Sequence, residues 1–491
     1  MPASPAFSPT PSLDPDEQAE VRVVRSGTGR ATALGVLVGS SGSVPAALGI
    51  DRRKLTSSGF TGAAGETLVI PTASPVLVAV GIGAPAAVDA TVLRTAGAAV
   101  ARAAAAHSRV AVSIEGVKAI EAATATQAIV EGALLARYRY NPLRTAPKGT
   151  ALSSLVVVEG DEEGARRGRA FAAATSLARD LANTPHSHLN ASQIADIAVK
   201  LGRQTGLKVE VFDEKALVTL GCGGLLGVNA GSAQPPRMIK LTYKPKGTPS
   251  GRLTFVGKGI MYDSGGLALK PGDEVHAQMK NDMSGAAAVL AAMSQLAAVD
   301  GSAQVVGYLM CTDNMPSGTA MALGDVLTIR GGKTVEVINT DAEGRLVMAD
   351  ALVLATEEPT DAIVDIATLT GACMRALGTQ IAGVMGNDQH LVDRIREAAE
   401  DTDESVWQLP LDRRYRAELD STVADMRNLG GANAGAITAA LFLAEFVGDT
   451  PWAHVDIAGT AQSPGDVSWQ TAGCSGFGAR LLLQLAASFK D

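Results

Sequence analysis

The stretch NTDAEGRL, residues 339–346, concentrates two carboxylates and a guanidinium between an apolar run and a segment of helical periodicity. The preceding VEVI is typical of a short strand, and residues 346–354 are typical of a helix. The acidic residues therefore fall on a turn at the carboxyl end of a strand, where open α/β sheets place their ligands. A simpler alternative is that Asp341 and Glu343 complement the dipole of the helix start, with Arg345 paired to one of them.

The segments upstream of this stretch contain further charged and polar residues. The run RLTFVGKG, residues 252–259, leads from a predicted strand into DSGG at 263–266 and MKND at 279–282, with Lys270 between them. From Pro185 onward, predicted helices alternate with predicted strands. Such alternation indicates a central, mostly parallel sheet flanked by helices.

Length and composition indicate a globular chain of several parts. The 491 residues, 46% hydrophobic and 19% charged, allow about three domains with ample core. We predict an α/β fold class with two α/β domains. A flexible proline-rich tail covers residues 1–20, and an amino-terminal α/β domain without catalytic groups covers 21–160. A connecting helix over 161–184 leads to a larger α/β domain over 185–491, which contains the catalytic residues.

Charge and cysteine usage exclude several classes of protein. The net charge of -8 argues against general attraction to nucleic acid or to an anionic membrane. No signal peptide and no run of about 18 apolar residues is visible, so we expect neither secretion nor membrane insertion. The four cysteines have no C-x-x-C spacing, which indicates reduced thiols in a cytoplasmic protein.

Together, the segments NTDAEGRL, DSGG, MKND and the two lysines near them resemble the leucyl aminopeptidase (cytosol aminopeptidase) family. The resemblance is strong over residues 183–490 and weak over the first 160. It implies an exopeptidase that uses two metal ions, a homohexameric assembly and an amino-terminal domain without catalytic residues. One residue more than the family pattern lies between Lys270 and Asp282, in the loop around His276.

Four acidic residues of the second domain have the composition of a site for two divalent cations, because their four negative charges match two M²⁺ ions. The four are Asp263, Asp282, Asp341 and Glu343. Oxygen ligands without histidine favour Mn²⁺ or Mg²⁺ and are compatible with Zn²⁺. On its own, an aspartate that precedes an Ala-rich helix, as Asp282 does, is typical of a helix N-cap.

The resemblance assigns metal ligands residue by residue. It implies one cation held by Lys258, Asp263, Asp282 and Glu343, and a second held by Asp263, Asp341 and Glu343, the expected cofactors being two Mn²⁺ or Zn²⁺ ions per subunit. Lys258, which we place at the end of a strand, would have to bind as a neutral amine, and neighbouring cations disfavour its ammonium form.

Two further basic residues receive roles from the same resemblance. Lys270 is implied as an ammonium that stabilises negative charge in the transition state. The arginine equivalent to Arg345 holds a bicarbonate that acts as general base, so we assign Arg345 to anion binding. Charge balance beside an acidic cluster is the alternative for both.

The resemblance also implies a pocket for the first side chain of a peptide, lined by Met279, Thr368, Gly371 and Ala458, with the Leu369 carbonyl facing the free amine. Methionine is more often a core residue than a pocket wall. We expect the closely spaced glycines Gly257, Gly259, Gly265 and Gly266 to let the backbone pass close to the metals.

The sequence therefore predicts a two-metal aminopeptidase that releases leucine and other apolar residues from the amino end of peptide substrates. The alternatives are an oligomeric scaffold or DNA-binding architectural protein with incidental hydrolysis, and a two-metal dipeptidase. Retention of every ligand position favours the enzyme, because a scaffold does not need a balanced metal site.

Overall fold

The structure is a computed structural model that describes residues 7–71, 74–146 and 149–490. Contacts divide these residues into two units, and the division falls inside a long helix between Ser176 and Leu177. The segment Ser463–Gly473 groups with the first unit, although it lies near the end of the chain. Of the tail predicted over 1–20, residues 1–6 lie outside the described ranges, and two short 3-10 helices follow.

The first unit is an α/β unit built on one sheet. Its strands and helices are β1 (Glu20–Val24), β2 (Ala33–Val38), α1 (Arg52–Ser57), β3 (Thr67–Ile70), β4 (Val76–Gly81), α2 (Ala90–Ala103), β5 (Arg109–Ser113), α3 (Ala122–Ala136), β6 (Ser154–Val158) and the start of α4 (Glu162–Asn183).

Within the described residues this sheet has six strands in the order β1-β6-β5-β2-β4-β3, and only β3 pairs antiparallel with its neighbour. Separate apolar clusters cover the two faces of the sheet, one centred on α2 and α3, the other on Leu55 and Phe60. The backbones of helices α2 and α3 are in direct contact at Gly132, where a Cβ would lie only 1.9 Å from the Arg94 carbonyl oxygen.

Except for the strand residues Ser463 and Gly473, which group with the first unit, the second unit contains the remaining elements. They are α5 (Ala191–Thr205), β7 (Lys208–Phe212), α6 (Glu214–Leu220), α7 (Gly223–Asn229), β8 (Arg237–Tyr243), β9 (Arg252–Asp263), α8 (Glu274–Ala277), α9 (Ser284–Ser294), β10 (Gln304–Asn314), β11 (Val326–Thr328), β12 (Thr334–Glu336), α10 (Gly344–Thr356), β13 (Ala362–Ala367), α11 (Gly371–Leu377), β14 (Ala382–Gly386), α12 (Gln389–Thr402), β15 (Val406–Gln408), β16 (Met426–Arg427), α13 (Gly435–Ala444), β17 (Trp452–Asp456), β18 (Gln462–Ser463), β19 (Gly473–Cys474) and α14 (Ala479–Ser488).

The main sheet of this unit confirms the predicted α/β class. Among the described residues its strand order is β15-β14-β17-β13-β9-β10-β8-β7. The four central strands, β17, β13, β9 and β10, run parallel to one another, whereas β14 and β8 are antiparallel to their inner neighbours. The carboxyl ends of the central strands therefore meet at one edge of the sheet, where α/β folds place ligands.

The strand β9 is longer than we predict from the sequence. The sequence places Lys258 at the end of this strand, but the strand continues to Asp263, so Lys258 lies within it. Glycine is tolerated there because α9 packs directly on the strand: a Cβ at Gly257 would lie 2.7 Å from the Cα of Ala286. Gly257 and Gly259 allow close packing of protein backbone, whereas a Cβ at Gly265 would lie 2.9 Å from Asp341 Oδ1.

The strand that precedes NTDAEGRL is also placed differently. It is shorter than predicted, and β12 belongs to a small sheet with β11 and β16 instead of the main sheet. Its residue Val335 pairs with Met426, 91 residues further along the chain, which no local pattern could indicate. The following helix α10 is buried almost throughout, and Glu343 is its N-cap.

Two simpler expectations can also be compared with the structure. The four cysteine thiols, Cys222, Cys311, Cys373 and Cys474, are free and buried. Across the ranges that the structure describes, no helix is both long enough and apolar enough to cross a membrane.

Candidate metal centre and active site

The acidic and basic residues singled out in the sequence meet at the carboxyl edge of the main sheet. Asp263 is the last residue of β9, and Thr368 directly follows β13. The turn that ends in Asp282 precedes α9, and Glu343 directly precedes α10. Asp282 is not the N-cap of α9, since Met283 occupies that position.

Lys258 lies between two of the predicted carboxylate ligands. Its Nζ is 2.8 Å from Asp282 Oδ2 and 2.8 Å from Glu343 Oε1, and all three side chains are almost fully buried. The same Nζ donates to the Thr368 carbonyl oxygen at 3.0 Å. Burial opposes the charged form, but Asp282, Glu343 and Asp263 outweigh it and raise the pKa of Lys258. In this arrangement Lys258 is an ammonium.

A glycine makes the approach of Lys258 to Glu343 possible. A Cβ at Gly344 would lie 2.5 Å from Lys258 Cε and 2.8 Å from its Nζ. Any larger side chain at this first position of α10 would therefore push the lysine away from the carboxylates. The glycine of NTDAEGRL thus has a steric role in the site.

Lys270 joins the other pair of carboxylates. Its Nζ lies 2.8 Å from Asp263 Oδ2 and 2.5 Å from Asp341 Oδ1. Burial lowers the pKa of Lys270, but Asp263 and Asp341 more than compensate and raise it overall. Each lysine of the site therefore pairs with two carboxylates, and the two positive charges against four negative ones leave a net charge of -2.

Carboxylates packed this closely resist full ionisation. One oxygen each of Asp263, Asp341 and Glu343 can be chosen so that all three lie within 4.8 Å of one another. Burial, followed by the charge of Asp263, raises the pKa of Glu343 despite Lys258, and burial likewise raises the pKa of Asp282. A cation between these oxygens would favour the ionised forms.

The donor set has unsatisfied atoms that fit bound ions. Among the described residues, Glu343 Oε2 is buried without a hydrogen-bond partner, and so are Nε and Nη1 of Arg345. Arg345 is only 3% exposed. Burial lowers the pKa of Arg345 to about 10, although Glu343 and Asp456 oppose the shift. If Arg345 only paired with an acidic neighbour on the turn, the burial of these two nitrogens without a hydrogen-bond partner would have no explanation.

Asparagines that we did not single out in the sequence hold the acidic loops in place. Asn314, at the end of β10, donates to Asp263 Oδ1 at 2.8 Å and to the Thr340 carbonyl at 3.0 Å. Asn428 is fully buried, donates to the Asn339 carbonyl and accepts from the amide of Ile338. Asn314 could have been found from the sequence, because it is a polar residue at the end of the apolar strand β10. No local pattern in the sequence points to Asn428.

The predicted pocket residues lie on the segments around this cluster. Thr368 Oγ1 donates to Asp282 Oδ1 at 2.6 Å. Met279 begins a short 3-10 helix, and its carbonyl accepts a hydrogen bond from the amide of Asp282, the C-cap. Leu369 lies in the loop after β13 and Gly371 begins α11, while Ala458 follows β17, the strand next to β13. Met279, Leu369 and Ala458 are half-buried, as the walls of an accessible pocket would be.

Comparison with known proteins agrees with this geometry. Residues 176–483 match the sequence profile of the cytosol aminopeptidase family catalytic domain, and residues 51–147 match that of its N-terminal domain. A probable cytosol aminopeptidase of Streptomyces avermitilis is 45% identical over 460 residues, which cover 88% of each chain. One of Chlorobaculum tepidum is 46% identical over 374 residues, or 73% of this chain and 74% of that one.

Solved structures give the same result. The bottromycin maturation enzyme BotP in complex with Mn has a TM-score of 0.87 at 36% identity, covering 93% of this chain and 99% of that one. A mutant of tomato leucine aminopeptidase has a TM-score of 0.87 at 29% identity, covering 96% and 97%. The chain belongs to the cytosol (leucyl) aminopeptidase family, and it is a hydrolase, an aminopeptidase.

Proposed function

We propose that this aminopeptidase depends on two divalent cations and releases amino-terminal leucine and other apolar residues from peptides. The observation that carries the proposal is the cluster of four carboxylates, Asp263, Asp282, Asp341 and Glu343, with only two lysines among them. Its residual charge of -2 and the raised pKa values of Asp282, Asp341 and Glu343 leave the cluster short of positive charge.

The donor atoms fit hard or borderline cations, because every candidate ligand except Lys258 is a carboxylate oxygen. Lys258, Asp263, Asp282 and Glu343 would hold one cation, and Asp263, Asp341 and Glu343 the other. The manganese complex of BotP, a similar structure, supports Mn²⁺, and Zn²⁺ is the second candidate. Binding would replace the two ion pairs of Lys258, which must then lose its proton to serve as a ligand.

Two cations bound there would supply positive charge that polarises the scissile carbonyl and activates a water molecule. The residues of the chain provide the rest. Lys270, already on the same side as Asp263 and Asp341, would donate a hydrogen bond to the oxygen that becomes negative. The free Nε and Nη1 of Arg345 would bind bicarbonate, whose negative charge the buried guanidinium stabilises.

Hydrogen-bond acceptors of the protein would recognise the amino end of the substrate. Asp282 and the Leu369 carbonyl would accept the hydrogens of the α-amine, while Met279, Thr368, Gly371 and Ala458 would surround the first side chain. Holding both ends of the first residue places its carbonyl correctly for attack. No specific contact among the described residues favours the scaffold, DNA-binding or dipeptidase alternatives. Membership of the family supports a homohexamer in the cytoplasm as a further proposal.

A metal add-back experiment tests the proposal. The full-length protein is stripped with a chelator, and hydrolysis of leucine p-nitroanilide is then measured after addition of Mn²⁺, Zn²⁺, Co²⁺ or Mg²⁺. We expect no activity in the stripped protein and recovery at two bound ions per subunit. Full activity without bound metal would contradict the proposal.

A further inference from the structure

The carboxylate of Asp456 accepts hydrogen bonds from both loops that flank the proposed pocket. Asp456 ends β17 and is fully buried. Its Oδ1 accepts from the amide of Ala458 at 3.1 Å and from the amides of Leu369 and Thr370 at 3.2 and 3.4 Å. The Thr370 hydroxyl donates to Oδ2 at 2.7 Å. One side chain therefore holds together the loops that follow β13 and β17.

The loop after β13 is held from the opposite end by the metal cluster. The Thr368 hydroxyl donates to Asp282, and Lys258 donates to the Thr368 carbonyl. Residues 368–370 thus extend from the metal cluster at one end to Asp456 at the other. The position of the Leu369 carbonyl is set by these two attachments together.

A buried carboxylate with four donors still benefits from a compensating charge. His454 lies two residues earlier on β17, and its Nε2 is 4.0 Å from Asp456 Oδ2. Its Nδ1 lies 2.5 Å from Asp365 Oδ1 on β13, and the other oxygen of Asp365 accepts from Trp452 Nε1 at 2.7 Å. His454 is therefore enclosed between two buried carboxylates.

Protonated His454 accounts for this arrangement. With Nδ1–H donated to Asp365, a neutral ring would turn the lone pair of Nε2 toward the negative Asp456. An imidazolium turns an N–H toward it instead. Burial opposes the charge, but Asp365 and Asp456 raise the pKa of His454 to about 9. A row of three charged side chains thus extends from the interior of the sheet to the pocket loops: Asp365, His454 and Asp456.

We propose that Asp456 is a positioning residue for the first residue of the substrate. It fixes the Leu369 carbonyl and Ala458 relative to each other, and His454, held by Asp365, lies beside its carboxylate. This inference rests on the proposed function, because it assigns the geometry of the first-residue pocket to a carboxylate that touches neither substrate nor metal.

The test compares Asp456→Asn with Asp350→Asn in the full-length, Mn²⁺-loaded protein. Asp350 is a matched control, because it is also fully buried and accepts from backbone amides, those of Leu225 and Arg330, but outside the site. For each variant, bound metal, melting temperature, and kcat and KM for the p-nitroanilides of leucine and alanine are measured.

For Asp456→Asn we expect two bound metals per subunit, a kcat/KM for leucine reduced at least about tenfold, and a preference for leucine over alanine reduced at least about threefold. Asp350→Asn should change the melting temperature and leave the preference unaltered. An Asp456→Asn protein with the wild-type preference and kinetic constants within about twofold of wild type would overturn the inference.

A second variant covers the case in which Asp456→Asn does not fold. His454→Gln keeps Asp456 and removes its compensating charge, so the preference for leucine should fall in the same direction. An unchanged preference in folded, metal-loaded His454→Gln would also overturn the inference. Wild-type protein that binds metal and fails to cleave leucine p-nitroanilide would reject the proposed function itself, and this inference with it.

Discussion

The Lys258 ammonium lies 2.8 Å from Glu343 Oε1, in a site where both side chains are almost fully buried. This ion pair connects the middle of β9 to the start of α10. A cation bound at Glu343 would replace the positive charge of the ammonium, and Lys258 would then have to lose its proton. Loss of either partner would leave an uncompensated buried charge, which is strongly unfavourable.

The first prediction concerns Glu343→Gln. The substitution keeps the shape of the side chain and removes the charge proposed to bridge both cations, so bound metal should drop below two per subunit. We expect kcat/KM to fall by several powers of ten, on the order of 10³ or more, with the fold retained. Glu357→Gln, at the other end of α10 and paired with Arg330, is the control. Near-normal turnover with two bound metals would reject the assignment.

The second prediction uses the close approach at Gly344. In Gly344→Ala the new Cβ would lie 2.5 Å from Lys258 Cε, so the lysine must leave its position between Asp282 and Glu343. We expect weaker binding of the cation assigned to Lys258, measured as metal content after dialysis, together with loss of activity. Gly272→Ala is the control, because a Cβ there meets no atom within 4 Å. Equal metal retention in both variants would argue against Lys258 as a ligand.

The sequence allowed the acidic and basic groups of the candidate site to be predicted, because six of the seven, all except Lys270, lie within short motifs. It was not sufficient for the residues that hold them. Asn428 binds the backbone of Asn339, 89 positions earlier, and its partner cannot be read from local patterns. Asp456 could be seen as polar at a strand end, but its acceptor role depends on the neighbouring β13, which only the fold defines.

Strand limits failed for a related reason. Glycines usually indicate the end of a strand, and β9 continues through Gly257 and Gly259 because α9 and β10 pack at backbone distance against them. The grouping of Ser463–Gly473 with the first unit likewise has no local signal. It rests on Trp469, which is buried in the cluster around α2 and α3, and on an ion pair between Arg102 and Asp466.

The third prediction separates the two lysines. Lys270→Ala should lower kcat by about 10²- to 10³-fold, because it removes a donor that acts in the transition state. Bound metal should remain at two per subunit, since Lys270 is assigned no ligand role. Lys280→Ala is a nearby control, because its Nζ binds the Asn183 carbonyl and none of the acidic residues. Loss of metal from Lys270→Ala would mean that the roles of Lys258 and Lys270 are interchanged.

The fourth prediction concerns stability at alkaline pH. Burial opposes protonation of His454, but Asp365 and Asp456 raise its pKa from 6.5 to about 9. The folded protein therefore binds this proton more tightly than the unfolded chain does. The resulting stabilisation is complete below pH 6.5 and is lost as pH rises to 9.

In His454→Gln this contribution is absent at every pH. The difference between wild type and variant in the free energy of unfolding should therefore shrink by about 3 kcal/mol across that window. Denaturant unfolding at a series of pH values measures it, and His390→Gln, at an exposed histidine of the same unit, should follow the wild type. A difference that stays constant with pH would show that His454 is neutral.

The last prediction is that the enzyme acts only on a free amino terminus. In the proposed site the α-amine lies between Asp282 and the Leu369 carbonyl, and both of these groups accept hydrogens. Asp282 already accepts from Lys258 and from the Thr368 hydroxyl, which shows that its oxygens are oriented to bind donors. An acetylated amine has one hydrogen in place of two or three and no basic lone pair, and it adds bulk beside Thr368.

We therefore expect fast release of leucine from leucine p-nitroanilide and essentially none from its N-acetyl counterpart, measured side by side with Mn²⁺. Activity on the free substrate should fall as the pH is lowered, because the raised pKa values of Asp282 and Glu343 mean that protons compete with the cations already at mildly acid pH. Bound metal should decline in parallel with activity. Comparable cleavage of both substrates would contradict amine recognition by Asp282 and Leu369 even if two cations were found in the site.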